Sequence, residues 1–154
     1  MQHLMLHDAI THRILDWPMK RNSRLSLALH TLGHMAGDPE RMRTSAEIAK
    51  HNSTNPVVVR RVLGMLREAH LLESEKGHAG GWRLAKSPEA ISLADVYVAL
   101  GEQMFQDQRK PEKMECSVEH GLFDRVSSVF AEVETVLMER FSATSIADIA
   151  KPAD

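Results

Sequence analysis

A chain of 154 residues with 43% hydrophobic content is long enough for one domain plus an added element, and it can build a core without staples. Its single cysteine, Cys116, excludes an intrachain disulfide and a cysteine-rich zinc site. Neither a bilayer-spanning apolar run of about 18 residues nor a secretory leader is present, so a cytoplasmic protein without membrane attachment is expected. The net charge of −2 conceals an asymmetry: residues 19–86 hold 12 Lys and Arg against 6 Asp and Glu, whereas residues 87–154 hold 6 against 13. A basic half joined to an acidic half can present one face to a polyanion while the whole stays soluble.

Residues 1–18 place Leu6, Ile10, Ile14 and Trp17 at helical spacing before Pro18 and read as an N-terminal extension, either an accessory helix or a misplaced start. Their His3, His7 and His12 are not read as a metal site, and no metal is expected elsewhere. A helix capped by Asn22 or Ser23 carries Leu25, Leu29, Leu32 and Met35 and stops at Gly37-Asp38-Pro39. Its His30 and His34, four apart, could share a ligand but read as packed or solvated imidazoles. Thr44-Ser45-Ala46-Glu47 is a capping box that opens a short helix with Ile48 and Ala49. After the polar turn 51–54, Asn55 caps and Pro56 starts a helix running to His70. Val58, Val59, Val62, Leu63, Leu66 and Ala69 form its apolar stripe, with Val57, Arg60, Arg61, Gly64 and Glu68 opposite.

Strands at Leu71–Lys76 and Trp82–Ala85 flank Gly77-His78-Ala79-Gly80-Gly81, a loop whose three glycines are free to take positive φ, so a β-hairpin wing is expected. A phosphate-binding glycine loop is excluded, because strands lie on both sides of it. A helix follows Ile91-Ser92-Leu93-Ala94-Asp95-Val96, and 103–115 reads as a loop. From Ser117 to Phe141 apolar residues recur through Leu122, Val126, Val129, Val133, Val136 and Leu137. Such a helix exceeds about 30 Å in length, and a two-fold copy of itself is the expected cover for its stripe.

The expected fold is α+β: a winged helix-turn-helix over 19–86, then a linker helix, loop and long C-terminal dimerisation helix over 87–154. Paired short helices with a basic outer face suit the major groove, and a wing suits the adjacent backbone. The expected partners are an operator duplex and a second copy of the chain. The DNA-contacting set is Arg24, Thr44, Ser45, Asn55, Pro56, Val57, Arg60 and Arg61, with Lys76, His78, Gly80 and Gly81 from the wing. Asn55 and its helix N-terminus suit phosphate, and Arg60 or Arg61 suits a bidentate fork on guanine. The alternative is a winged helix used for protein interaction, against which Arg60 and Arg61 argue. Neither a nucleophile motif nor paired carboxylates with a supporting His is present, so no enzyme is expected.

The order of Thr-Ser-Ala-Glu-Ile-Ala, Asn-Pro-Val-Val-Val-Arg-Arg-Val-Leu, Gly-x-x-Gly-Gly, Ile-Ser-Leu-Ala-Asp-Val and a long helix ending in Ser-Ile-Ala-Asp-Ile resembles the Rrf2 family of winged-helix regulators. It is most similar to the cluster-less, YwnA-type branch. The resemblance implies a dimeric transcription regulator, repressor or activator, with repression the expected role and a redox or ligand signal the expected input. The family's best-known members sense iron, nitric oxide or redox state through an iron–sulfur cluster on three cysteines. Cys116 stands where that segment begins, without its companions, so no cofactor is expected; any redox response runs through Cys116 alone, the alternative being an inert cysteine.

Overall fold

A computed structural model describes residues 24–77, 80–102 and 116–151. The readings of 1–18, of His78 and of the 103–115 loop lie outside them. Helix α1 spans Arg24–Ala36 and buries Leu32 and Met35 of the expected stripe together with Leu27, Ala28 and Thr31, whereas Leu25 and Leu29 are only partly buried, because the face turned to the core is rotated away from them. Helix α2, Ser45–His51, starts on the Thr44–Glu47 box: Glu47 N–H donates to Thr44 Oγ1 (3.2 Å) and Thr44 N–H to Glu47 Oε2 (2.7 Å). Helix α3, Pro56–Glu68, has Asn55 as N-cap, its Oδ1 accepting from the Val57 and Val58 amides at 3.0 Å each. It ends in a Schellman arrangement, with His70 at φ 57° and Leu71 N–H donating to the Leu66 carbonyl at 2.9 Å.

Strands β1 (Leu72–Glu75) and β2 (Gly81–Leu84) pair antiparallel, Leu72 opposite Leu84 and Glu75 opposite Gly81. After a 3₁₀ turn at Pro88–Ala90 come α4 (Leu93–Ala99), α5 (Ser117–Ser142) and α6 (Ile146–Ala150). The long helix therefore stops at Ser142, and the Ser-Ile-Ala-Asp-Ile run is a separate helix with its own cap. Ser92–Asp95 and Ser145–Asp148 are two further capping boxes, joined by antiparallel bonds from Ile146 N–H to the Ile91 carbonyl (2.8 Å) and from Leu93 N–H to the Thr144 carbonyl (2.9 Å). This junction lays α6 against α1. One apolar core results, in which Leu32, Val59, Leu63 and Leu66 meet Ile91, Val96, Leu100 and Ile146, from both sides of residue 86.

No helix of the described residues is long and apolar enough to cross a membrane. Helix α5 has 26 residues and buries none of them. Its principal packing is on α4, with Phe141 edge-on to Tyr97 at 5.5 Å.

Candidate nucleic-acid interface

The faces of α3 separate cleanly. Val59, Val62, Leu63 and Leu66 are buried, and Arg60, Arg61 and Val57 point outward, Val57 being 60% exposed. Val58 departs from its expected place in the stripe: it is 39% exposed, because it sits in the first turn beside the Asn55 cap, above the core. Ala69 is also exposed, as the C-cap residue where the helix leaves the core. The outer face therefore combines two guanidinium groups with two valines, hydrogen-bonding forks beside apolar surface.

Most other arginines are committed within the fold. Arg43 donates to the carbonyls of His34 (3.0 Å), Asp38 (3.0 Å) and Arg41 (3.1 Å), clamping the α1–α2 connection. Arg41 pairs with Glu47 at 3.3 Å, and Arg83 with Glu73 at 2.8 Å. The Glu73 bond raises the Arg83 pKa above its ordinary value. Arg67 reaches Ser74 Oγ at 3.4 Å and lies 6.0 Å over the Trp82 ring. Arg24, one of the expected DNA contacts, starts α1 and pairs with Glu102 at 3.2 Å. Arg60 and Arg61 make no such bond among the described residues.

The remaining expected contacts have structural duties of their own. Ser45 Oγ accepts the Trp82 indole N–H at 2.9 Å, fastening β2 to the start of α2. Trp82 and Arg43 exchange backbone bonds of 2.9 and 3.0 Å, so the wing is anchored on the helix-turn-helix rather than hanging from it. Asn55 spends its carboxamide oxygen on its own helix, taking two amides that a phosphate would otherwise use. Pro56 sits at the first helical position, half-buried. Only Gly77 of the wing glycines takes positive φ, at 109°. Gly80 and Gly81 are small for a different reason: a β-carbon on Gly81 would lie 2.6 Å from the Arg43 carbonyl oxygen, and one on Gly80 would collide with that of Glu75. Lys76 is exposed at the end of β1. The Trp82–Ser45 tie is not visible in the sequence because 37 residues separate its partners, although a lone Trp in a small wing needs a partner for its N–H.

The sequence profile of the Rrf2 family, described as iron-dependent transcriptional regulators, matches residues 21–152. The chain belongs to the Rrf2 family. It is 34% identical over 131 residues to the candidate HTH-type transcriptional regulator YwnA of Bacillus subtilis, covering 83% of this chain and 95% of that one. A crystal structure described as a candidate DNA-binding protein superposes with a TM-score of 0.67 at 32% identity, covering 84% of this chain and all of that one. T. potens IscR, at 21% identity, shares the fold with a TM-score of 0.63 over 89% of this chain and 94% of its own. The Rrf2 family and the relatives found are transcriptional regulators rather than enzymes.

The donor set does not fit the iron–sulfur cluster that the family description invites. Cys116 is the chain's one cysteine, exposed at the N-cap of α5, and a cluster needs about four ligands, mostly thiolates. The Glu119 and Val118 amides beside its sulfur hold the thiol below its ordinary pKa, although no side-chain capping bond forms.

Proposed function

We propose that this Rrf2 regulator binds an operator duplex as a homodimer and acts as a repressor. The carrying observation is the outer face of α3, where Arg60 and Arg61 stand exposed beside Val57 and, among the described residues, without an ion-pair partner, while Arg24, Arg41, Arg43, Arg67 and Arg83 are each committed to an ion-pair or hydrogen-bonding partner. Arginine forks match guanine O6 and N7, and a valine methyl suits the thymine methyl. Thr44, Ser45, Asn55 and Pro56 set the angle of α3, and Lys76, His78, Gly80 and Gly81 belong to the wing, toward the flanking backbone. Arg24 contributes through charge at the edge of this surface. In this division of labour, 19–86 read DNA and 87–154 pair two chains.

The second copy is supported by α5. Leu122, Val126, Val129, Val133 and Val136 follow alternating steps of four and three, the spacing of a coiled-coil seam, and all are exposed; Leu137 is half-buried beside them. Pairing two such helices brings two copies of α3 to successive half-sites. Cys116, an exposed thiol with a depressed pKa at the head of the same helix, gives the dimer a route to redox response.

Recovering fragments bound by the purified protein from genomic DNA, and reading their sequence, tests the proposal. An inverted repeat with half-sites about one helical turn apart is expected. Recovery of fragments without a shared sequence would contradict it.

A further inference from the structure

His30, His34 and His51 form a cluster between α1 and α2, apart from the outer face of α3. His30 and His34 stand one turn apart on α1, their Nε2 atoms joined by a hydrogen bond of 3.0 Å. The His51 ring, at the end of α2, lies edge-on to that of His34 with centroids 4.5 Å apart and stacks on that of His30 at 6.0 Å. Asn52 ties the cluster to the helix-turn-helix. It is the C-cap of α2 and opens the turn into α3, where Ser53 takes φ 51°. Its Nδ2 donates to the Ile48 carbonyl at 2.9 Å and to Thr31 Oγ1 at 3.4 Å, which leaves Oδ1 to accept from His30 Nδ1–H at 2.7 Å.

These bonds fix where the protons sit. His30 carries one on Nδ1 for Asn52, so its Nε2 offers a lone pair into which His34 Nε2–H donates. Protonation of His34 at Nδ1 keeps that bond. A further proton on His30 has only Nε2 to occupy, which sets two N–H donors against each other, and the contact must part. The surroundings add charge of the same sign. Arg41, Arg43 and Lys50 line the adjoining cavity of about 570 Å³, and its one carboxylate, Glu47, is turned onto the Thr44 amide and Arg41. Asp38 acts on Arg43 rather than on the imidazoles. On the Gly33 side of α1 lies α6, whose Asp148 is paired with Lys151, and α3, α4 and β2 meet α1 through its buried face. Burial, then His30, His51 and Arg43, hold the His34 pKa below 6.5.

We propose that this cluster is a pH-sensitive fastener between α1 and α2: with neutral imidazoles it holds the end of α2 and the turn into α3 against α1, and in acid its own repulsion releases them. Histidine changes charge across the range in which such a device would act, and packed imidazoles become mutually repelling cations when they do so. All three rings are exposed, so a charged ring separates from its neighbours by turning to solvent. The start of α2 does not depend on them. It is held by the Thr44–Glu47 box and by the Ser45 bond to Trp82, with Ile48 and Ala49 in the core. The release is therefore confined to the last turn of α2 and to residues 52–54, and the core stays folded.

Titration of the imidazole NMR signals of the full chain, paired with hydrogen exchange corrected for its intrinsic pH dependence, tests the fastener. The His34 midpoint, assigned by its loss in H34Q, is expected below 6.5 in wild type and closer to 6.5 in H51Q. Between about pH 7.5 and 5.5 the amides at the end of α2 and in the turn should lose about tenfold or more in protection, with those of the α3 core unchanged. H34Q keeps a side-chain donor for His30 but takes no proton, and it should retain that protection. A histidine held below its unfolded pKa costs stability as pH falls through 6.5, so H34Q should gain in melting temperature relative to wild type over the same range. Melts above pH 7.5 report whether each variant folds, and the wild-type titration stands without them. A wild-type His34 midpoint at or above 6.5, or the same acid loss of protection in wild type and H34Q, would overturn the proposal.

Discussion

Helix α3 turns Val59, Val62, Leu63 and Leu66 fully inward, whereas the 26 residues of α5 include none that is buried, Leu122 being 63% and Val129 55% exposed. Both stripes look alike in the sequence. The difference lies in what surrounds them: α3 is held between short connections, with α1, α2, α4 and β1 packed around it, while α5 outruns its one main neighbour, α4. The apolar side of α3 is finished by the chain itself, leaving its charged side for a partner. For α5 the apolar side is the part left unfinished. On the proposed function, a polyanion complements the first surface and a second copy the second.

The largest expected effect comes from breaking the α5 seam. Val129→Asp with Val133→Asp should give a folded monomer by sedimentation whose operator affinity falls on the order of 100-fold or more, because the two half-sites are no longer read together. A retained dimer mass would break the comparison at once. Truncating the two stripes sharpens it. In that monomeric background Leu66→Ala should cost about 2–5 kcal/mol in urea unfolding, and Val136→Ala less than about 0.5 kcal/mol. Equal losses would mean that α5 is covered within its own chain.

Much of α3 is legible in the sequence, and less of what holds the two halves together. Asn55-Pro56 and Thr44-Ser45-Ala46-Glu47 carry their caps locally, so periodicity and capping chemistry agree on the same helix starts. The Ser92–Asp95 and Ser145–Asp148 boxes carry the same local signal, Ser-x-x-Asp. Their juxtaposition depends on a bridge from residue 92 to residue 145, which no local pattern encodes. The wing glycines mark the hairpin loop, but conformational freedom explains only Gly77; Gly80 and Gly81 answer to a close approach by other backbone. Val58 shows the limit of a helical wheel, since the core ends before the first turn does.

Smaller effects test the fastenings. Ser45→Ala removes the acceptor of the Trp82 N–H and should cost about 1 kcal/mol in stability, with faster hydrogen exchange in β2. Unchanged exchange would mean that the Arg43–Trp82 backbone pair suffices to hold the wing. At the C-terminus, the Ser145 side chain and amide, followed by Lys151, depress the Asp148 pKa from 3.8 to about 2. A carboxylate held lower in the folded than in the unfolded state stabilises above its unfolded pKa, and that contribution disappears as pH falls from about 4 toward 2. Asp148→Asn should therefore melt lower than wild type at neutral pH, with the gap closing over that acid range. A gap independent of pH would remove the carboxylate from the cap.

The free face of α3 is tested most directly by measuring the affinity of wild type, Arg60→Ala and Arg61→Ala for the recovered operator duplex at rising salt. Wild-type binding should weaken steeply between about 50 and 200 mM as counterions return to the phosphates. An arginine that reads a base should cost about 1–3 kcal/mol when replaced, with discrimination between operator and scrambled duplex reduced. Wild-type affinity and discrimination in both variants would contradict the claim that α3 is completed by DNA.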